Sequence, residues 1–316
     1  MDRYDAAAIT SAVEVGALLD AVEAAFRDVA AGRDRSPLRT HVPIPGGDLL
    51  LMPGMREGGS GSTVKIVTVV GDNASRGLPT VQAVVIWLDA TTGEPRAVLD
   101  GNTITRMRTG AASGVATRLL ARPDASVLAM IGAGGQAGWQ VRAVLAARPI
   151  REVRVYARTP AARERCAAEL EAELDGVSVV ASRSARDAVD GADVVCCATT
   201  SSEPVFDAAW LRPGAHVNGV GAFRLGMVEL PPQLFERAQV VAVDSRGAAT
   251  AEAGDVAAAM AAGVLAHDRV VEIGTVARDW VKGRPPDAIT VFKSVGLAIQ
   301  DVAAAELVVA GRGASG

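Results

Sequence analysis

The chain has 316 residues, of which 49% are hydrophobic and 22% charged, with a formal net charge of −4. This length suffices for two domains of ordinary size, and the charge balance does not indicate a nucleic-acid partner or a membrane surface. The apolar runs are strand-sized, and residues 1–5 lack the apolar segment of a secretory signal, so we expect a cytoplasmic protein. The three histidines and three cysteines are not spaced as metal ligands are, so we expect no metal site.

The first hundred residues predict a mixed α/β segment. A helix near residues 13–31 precedes four extended runs, at 48–52, 63–70, 81–88 and 96–99. Turn residues such as Asp72-Asn73 and Thr92-Gly93 separate these runs, which is typical of a meandering sheet. The segment 102–120 then has apolar residues at three- and four-residue spacing, namely Ile104, Met107, Ala111, Val115 and Leu119. We predict an amphipathic helix there that leads into a second domain.

Three cations in this part of the chain have apolar sequence neighbours: Arg39, Lys65 and Arg108. Lys65 lies within the predicted strand 63–67, and two interpretations remain open for it. It can project from the solvent face of an alternating strand, or it can be buried and need a partner for its charge. In the second case the three cations form a carboxylate-binding cluster, because arginine binds a carboxylate with two hydrogen bonds and lysine adds a point charge.

The most informative motif is Gly132-Ala133-Gly134-Gly135-Gln136-Ala137. It follows the apolar run 127–131 and precedes a helical pattern, so it has the strand–turn–helix context of a G-x-G-x-x-A dinucleotide fingerprint. The first glycine permits a tight turn, the second lets a pyrophosphate approach the backbone, and Ala137 lets the helix pack closely. A helix N-terminus also favours phosphate. The motif therefore predicts a nicotinamide-dinucleotide site.

Apolar strands alternate with helices after this motif, which predicts a parallel sheet covered on both faces. The strands are predicted at 152–156, 177–180, 192–198, 216–220 and 240–244, with helices at 161–174 and 185–189. The strand at 152–156 ends in Tyr156-Ala157-Arg158-Thr159. This segment lacks the carboxylate that binds the ribose of NAD. We therefore expect NADP(H) in preference to NAD(H), with Arg158 on the 2′-phosphate; otherwise Arg158 is an ordinary solvated residue.

The predicted fold class is α/β, with a Rossmann dinucleotide-binding domain and a second, mixed α/β domain. The first comprises residues 119–302. The second comprises residues 1–118.

Ten short blocks of this sequence resemble, in the same order, those of the ornithine cyclodeaminase/μ-crystallin family. The blocks are Lys65-Ile-Val, Gly77-Leu-Pro-Thr80, Thr92-Gly-Glu-Pro95, Arg108-Thr-Gly-Ala-Ala-Ser113, Gly132-Ala-Gly-Gly-Gln-Ala137, Ala198-Thr-Thr-Ser201, Pro204-Val-Phe206, Val243-Asp-Ser-Arg246, Glu252-Ala-Gly-Asp255 and Phe292-Lys-Ser-Val-Gly296. The resemblance covers roughly residues 39–301. It implies a homodimer that acts on a small imino or amino acid. It also implies that residues 1–118 form a mixed α/β substrate-binding and dimerisation domain, with a C-terminal helix at about 303–316 packing back on it.

The resemblance also implies roles for individual residues. Arg39, Lys65 and Arg108 would surround the substrate carboxylate, and Thr80 would line the pocket. Candidate pocket residues further include Met52 and Phe223. The candidate cofactor-binding residues are Gly132, Gly134, Gly135, Gln136, Ala137, Arg158, Thr159, Thr199, Val220, Ser294 and Gly296, of which Ser294 and Gly296 would lie near the nicotinamide.

One departure from the family pattern bears on the reaction. Cyclodeaminases of the family carry an aspartate after the fifth strand, where it serves the substrate amine, and by spacing from Gly221 and Glu229 this chain has Phe223 there. Phenylalanine cannot exchange a proton with an amine. The segment resembles that of ketimine reductases instead, although Leu225 stands where proline is common.

The sequence therefore favours an NAD(P)H-dependent reductase of α-imino acids, such as small cyclic ketimines, or the reverse amino-acid oxidation. Three alternatives remain open. The first is an alanine-dehydrogenase-like or N-alkyl amino-acid dehydrogenase, and the second is an ornithine or lysine cyclodeaminase, which Phe223 disfavours. The third is a non-catalytic NADP-binding protein.

Overall fold

The computed structural model describes residues 1–276 and 280–313. The strands are β1 (Asp2–Tyr4), β2 (Thr40–Ile44), β3 (Gly47–Met55), β4 (Gly61–Val70), β5 (Val81–Asp89), β6 (Pro95–Asp100), β7 (Val127–Ile131), β8 (Glu152–Tyr156), β9 (Ser178–Ala181), β10 (Val194–Cys197), β11 (His216–Gly219), β12 (Val240–Val243), β13 (Val270–Glu272) and β14 (Thr290–Lys293). The helices are α1 (Ala6–Ala12), α2 (Val15–Ala30), α3 (Gly101–Leu120), α4 (Ala137–Ala147), α5 (Pro160–Glu173), α6 (Ala185–Val189), α7 (Pro232–Arg237), α8 (Arg246–Glu252), α9 (Gly254–Ala261), α10 (Trp280–Gly283) and α11 (Ala298–Gly313).

The chain divides into two compact units. The first comprises Met1–Arg108 and Leu297–Gly316, and the second comprises Thr109–Gly296. The predicted boundaries at 118 and 302 thus differ from this division, which falls within α3 and just before α11. The predicted C-terminal helix begins at Ala298, and its last three predicted residues, 314–316, lie outside the described residues.

The first unit contains a six-stranded sheet in the order β1-β6-β5-β4-β3-β2. The strands from β2 to β6 pair with antiparallel neighbours, and β1 adds to β6 in parallel. Helix α11 packs on β3 and β4, and α2 packs on α11. The contact between these two helices is apolar, with Ala25 of α2 in one buried cluster with Ile299 and Ala303 of α11. This arrangement buries one face of β4.

The second unit contains an eight-stranded parallel sheet in the order β13-β12-β14-β11-β10-β7-β8-β9. Apolar residues of β7 and β8 pack with those of α4 and α5 in one buried cluster, as expected for a parallel sheet covered by helices. The predicted strands include neither β13, at the edge of the sheet, nor β14, which inserts between β11 and β12. The predicted α/β fold class is confirmed. No helix within the described residues is long and apolar enough to cross a membrane.

Candidate active site

A buried ion cluster lies on the covered face of the first unit's sheet. The ammonium of Lys65, on β4, lies 2.6 Å from Oδ2 of Asp301, in the first turn of α11. The guanidinium of Arg108, on α3, donates through Nε to Oδ1 of the same carboxylate at 3.1 Å and through Nη1 to Oε1 of Gln300 at 2.9 Å. Side-chain exposure is 1% for Lys65, 7% for Arg108 and 0% for Asp301. Asp301 therefore joins two of the predicted cations.

Burial changes the chemistry of Lys65. Loss of hydration is the main cause that lowers the pKa of its ammonium, to about 7, and the positive charge of Arg108 adds to this effect. The Asp301 carboxylate opposes both by attraction and hydrogen bonding, whereas Arg39 lowers the pKa further. A lysine with a pKa near 7 can both donate and accept a proton at neutral pH.

The solvent-face interpretation of Lys65 is wrong. Along β4 the side chains of Thr63, Lys65 and Val67 are buried, whereas Val64 and Ile66 are partly exposed. Lys65 therefore shares the buried face with Thr63 and Val67. Burial of the lysine becomes acceptable because α11 places a carboxylate against it.

The other predicted substrate residues of this unit lie on or beside the same sheet. Met52 pairs with Lys65 across β3 and β4, so the two side chains project from the same face, and Met52 is buried. Arg39 immediately precedes β2 and is partly buried. Thr80 precedes β5, where its carbonyl accepts a hydrogen bond from the N–H of Val70.

Sequence reasoning missed Asp301 and Gln300. Both side chains are fully buried, and Gln300 Oε1 also accepts the backbone N–H of Leu297 at 3.0 Å. The sequence did contain a signal for these two residues. Gln300 and Asp301 are polar residues within an otherwise apolar helical segment, and the three candidate cations also have apolar sequence neighbours. The rule that a buried charge needs a partner points to them once Lys65 is known to be buried.

The glycine turn after β7 has the geometry that a dinucleotide needs. Gly132 has φ +112°, and a Cβ there would lie 2.6 Å from the carbonyl oxygen of Ala198, so only glycine fits. A Cβ on Gly134 would meet no protein atom within 4 Å, which leaves room beside the backbone for a pyrophosphate. Ala137 is buried at the start of α4, and Gln136 at the N-cap makes no side-chain capping bond. These residues fit a nicotinamide dinucleotide.

The predicted cofactor residues share one edge of the parallel sheet. Each group follows the carboxyl end of one strand: residues 132–137 follow β7, Arg158 and Thr159 follow β8, Thr199 follows β10, Val220 follows β11, and Ser294 and Gly296 follow β14. These five strands are contiguous in the sheet, in the order β14-β11-β10-β7-β8. Ligands of open parallel sheets bind at this edge.

The loops after β8 and β14 differ in how their predicted cofactor residues are held. Arg158 and Thr159 are exposed, and Thr159 occupies the N-cap of α5 before Pro160, as predicted, but its hydroxyl makes no capping bond there. The loop after β14 is held by the buried carboxylate of Asp244. One oxygen of that carboxylate accepts the hydroxyl of Ser294 at 2.8 Å and the N–H of Gly296 at 2.8 Å.

The model of the ornithine cyclodeaminase/mu-crystallin family matches residues 4–312 of the chain. The chain belongs to this family. A Δ1-pyrroline-2-carboxylate reductase of Bacillus cereus is 39% identical over 286 residues, which cover 89% of this chain and 87% of that protein.

Two solved structures of family members have the same fold. The Thermococcus litoralis Δ1-pyrroline-2-carboxylate reductase, in complex with NADH and L-proline, has a TM-score of 0.93 and is 34% identical, covering 100% of this chain and 98% of that one. An archaeal alanine dehydrogenase dimer with bound NAD has a TM-score of 0.89 and is 32% identical, covering 100% of this chain and 97% of that one.

Phe223, which the spacing from Gly221 and Glu229 predicts to stand in place of the cyclodeaminase aspartate, lies between β11 and α7 in the second unit and is partly buried. Its neighbours Arg224, Leu225 and Gly226 are exposed. The side chain has no group that exchanges protons.

Proposed function

We propose that this chain is an NAD(P)H-dependent reductase of α-imino acids, with small cyclic ketimines that carry an adjacent carboxylate as substrates, or a catalyst of the reverse oxidation. The observation that carries the proposal is the buried cluster of Lys65, Arg108 and Asp301. Family membership supports the same reaction, because the Bacillus cereus and Thermococcus litoralis relatives are Δ1-pyrroline-2-carboxylate reductases.

The cluster suits a substrate carboxylate. Arg108 already binds one carboxylate, and the charge of Arg39 also reaches Lys65, so cations outnumber Asp301 among the charges that act on this lysine. A second carboxylate would relieve the repulsion among the cations. Arg108 and Arg39 would hold it, since a guanidinium binds a carboxylate with directional hydrogen bonds.

Lys65 is the proton donor in this proposal. When bound, the reduced nicotinamide supplies a hydride to the carbon of the C=N bond. The ammonium of Lys65 gives a proton to the nitrogen, so that the imine becomes a secondary amine and the lysine becomes neutral. Asp301 holds the Nζ atom at 2.6 Å and favours its protonated form. The low pKa of the ammonium makes it a better acid than an ordinary lysine.

The cofactor preference is part of the proposal. We infer NADP(H) over NAD(H), because Arg158 follows β8 without a carboxylate beside it in Tyr156-Ala157-Arg158-Thr159. The relatives with solved structures carry NADH or NAD, so the preference is a property that this chain has to be tested for.

A homodimer is supported by the second face of the six-stranded sheet. Opposite to α11, that face carries apolar side chains that are partly exposed, namely Leu49, Leu51, Val64, Ile66, Val84, Ile86 and Val98. An apolar sheet face of this size favours burial against another protein surface, and the archaeal alanine dehydrogenase is a dimer. Sedimentation of the chain at twice its mass of 32.4 kDa would agree with this inference.

Alanine dehydrogenase activity is the second candidate, because the archaeal enzyme of that name is a structural relative. Steady-state assays with preformed Δ1-pyrroline-2-carboxylate and with pyruvate plus ammonia, each with NADPH and NADH, separate the two. We expect turnover of the cyclic imine and a much lower rate with pyruvate plus ammonia. The reverse ranking would establish the dehydrogenase instead, and nucleotide binding without turnover of either substrate would indicate a non-catalytic protein.

The same assay set includes L-ornithine with NAD as a test for cyclodeaminase activity. Because Phe223 cannot serve a substrate amine, we expect no ammonia release. Ammonia and proline formed from ornithine by the unmodified chain would contradict the assignment.

A further inference from the structure

Three buried charged residues of the second unit lie outside the predicted site: Lys293, Asp255 and Glu229. The ammonium of Lys293, at the end of β14, lies 2.7 Å from Oδ2 of Asp255, and both side chains have 0% exposure. The other oxygen of Asp255 accepts the backbone N–H of Glu229 at 2.6 Å and that of Leu230 at 2.9 Å. Asp255 thus links Lys293, at the end of β14, to the backbone of Glu229.

The carboxylate of Glu229 joins two different loops. Its Oε1 accepts the backbone N–H of Thr199 at 2.5 Å, in the loop after β10. Its Oε2 accepts the N–H groups of Gly221 at 2.6 Å and Ala222 at 2.9 Å, in the loop after β11. Strands β10 and β11 are direct neighbours in the sheet, and the one carboxylate bonds to both of the loops that follow them.

The two loops lie in direct contact beside the Glu229 carboxylate. A Cβ on Gly221 would clash with the carbonyl oxygen of Thr199 and would lie 2.6 Å from Oε1 of Glu229. The backbone of Gly221 therefore lies directly against Thr199 and the Glu229 carboxylate. Complete burial of Glu229 raises the pKa of its carboxyl, while Lys293 and the N–H of Thr199 oppose that rise. The charge of Lys293 thus offsets part of the negative charge of Asp255 and Glu229.

We propose that Glu229 is a positioning residue for the nicotinamide cofactor, with Asp255 and Lys293 as its support. Thr199 and Val220 are the predicted cofactor contacts in these loops. Thr199 donates its N–H to Glu229. Val220 directly precedes Gly221, whose N–H also bonds to Glu229. The inference rests on the proposed function, because it assumes that the cofactor binds at this edge. Glu229 itself acts only through the backbone that it holds.

The test uses Glu229→Gln, with Asp193→Asn as the matched control. Glutamine keeps the shape but places an amide N–H₂ against N–H donors, so one loop has to move. Asp193 is also a buried carboxylate of this unit, and it accepts the N–H groups of Ser126 at 2.8 Å and Val127 at 3.1 Å, but at the amino end of β7. Both variants lose an acceptor of backbone N–H groups from the same sheet.

The measurements are the dissociation constants of NADPH and NADH, from nucleotide fluorescence, and the melting temperature of each variant. We expect affinity to fall by about tenfold or more in Glu229→Gln, because both loops have to be ordered again in the geometry that binds the nucleotide. In Asp193→Asn we expect a lower melting temperature with affinity within about twofold of the unmodified chain. The KM for the nucleotide should rise in Glu229→Gln more than kcat falls.

Glu229→Asp provides the same comparison if the glutamine variant does not fold. It keeps the charge, but its shorter side chain cannot reach both loops, so affinity should again fall. Unchanged affinity in the Glu229 variant that folds would overturn the proposal, as would an equal loss in Asp193→Asn. Failure of the unmodified chain to bind either nucleotide would instead refute the proposed function, which separates the two failures.

Discussion

The ammonium of Lys65 and the carboxylate of Asp301 form a 2.6 Å ion pair between β4 and α11, and both side chains are buried. The pair joins a strand near the start of the chain to the last helix. Arg108 contacts the same carboxylate, so the three residues form one electrostatic unit. A change in any one of them alters the charge that acts on the other two.

The first prediction concerns pH. Because burial lowers the pKa of Lys65 to about 7, its ammonium is available as an acid below that pH and is lost above it. We expect kcat/KM for imine reduction to fall as pH rises through about 7, and kcat/KM for amino-acid oxidation to rise. Lys65→Arg is the control, since a guanidinium does not titrate in this range. We call this fall of kcat/KM near pH 7 the limb of the pH profile. If the limb persists in Lys65→Arg, the group that titrates is not Lys65.

Asp301→Asn should move this limb to lower pH. The Asp301 carboxylate raises the pKa of Lys65, whereas Arg108 lowers it, so removal of the carboxylate leaves only the opposing effects. The pH profile of kcat/KM measures the shift. Asp28→Asn is the matched control, because Asp28 is a buried carboxylate of the same unit that pairs with Arg33 and Arg56 instead. A shift of equal size in that control would contradict a local effect on Lys65.

Gln300→Glu should weaken substrate binding. The Gln300 side chain accepts a hydrogen bond from Arg108 at 2.9 Å, and a carboxylate there would bind the guanidinium in competition with the substrate. We expect KM for the imino acid to rise by about tenfold, equivalent to about 1.4 kcal/mol, while the affinity for NADPH stays unchanged. Gln82→Glu adds the same charge at an exposed position of β5 and should leave KM unaltered. Equal KM values for all three proteins would show that Arg108 does not bind the carboxylate.

Arg158→Asp should change the cofactor preference. If the Arg158 guanidinium binds the 2′-phosphate, its replacement should weaken NADPH binding by about ten- to a hundredfold, or about 1.4 to 3 kcal/mol, and favour NADH. Arg165→Asp, on the exposed side of α5, is the control for the charge change. Equal affinities of the unmodified chain for NADPH and NADH would refute the preference.

Gly134→Val should abolish binding of both nucleotides without loss of the fold. A Cβ at this position meets no protein atom within 4 Å, so the side chain fits the protein but occupies the space beside the backbone where a pyrophosphate would lie. Nucleotide fluorescence and the melting temperature check the two parts of the prediction. Retained binding of either nucleotide would place the pyrophosphate elsewhere.

Local signals in the sequence sufficed for most of the parallel sheet. The glycine turn at 132–137, the apolar run before it and the Thr159-Pro160 helix start each depend on neighbouring residues, and the structure has them where they were predicted. Strand β14 was not predicted, although Thr290–Lys293 is as long as the predicted strands β10 to β12. Its place between β11 and β12 is a tertiary pairing that no local pattern encodes.

The orientation of Lys65 could not be predicted, because the alternation in β4 favours the wrong face. Val64 and Ile66 are the apolar pair, yet they lie on the partly exposed face, whereas Thr63 and Lys65 lie beneath α11. One tertiary feature accounts for this, since the Asp301 carboxylate that pairs with Lys65 comes from the far end of the chain. The opposite face is the one that the proposed dimer would bury. The Glu229 network was hidden for the same reason, since its partners come from separate loops.

The reduction of Δ1-pyrroline-2-carboxylate by NADPH, compared between the unmodified chain and Lys65→Met, tests the central claim most directly. Methionine retains much of the lysine volume and removes the charge, so cofactor affinity should stay within about twofold while kcat/KM falls by about a hundredfold or more, in the range expected for loss of a general acid. Nucleotide binding with undiminished imine reduction in Lys65→Met would contradict the role of this lysine as the proton donor.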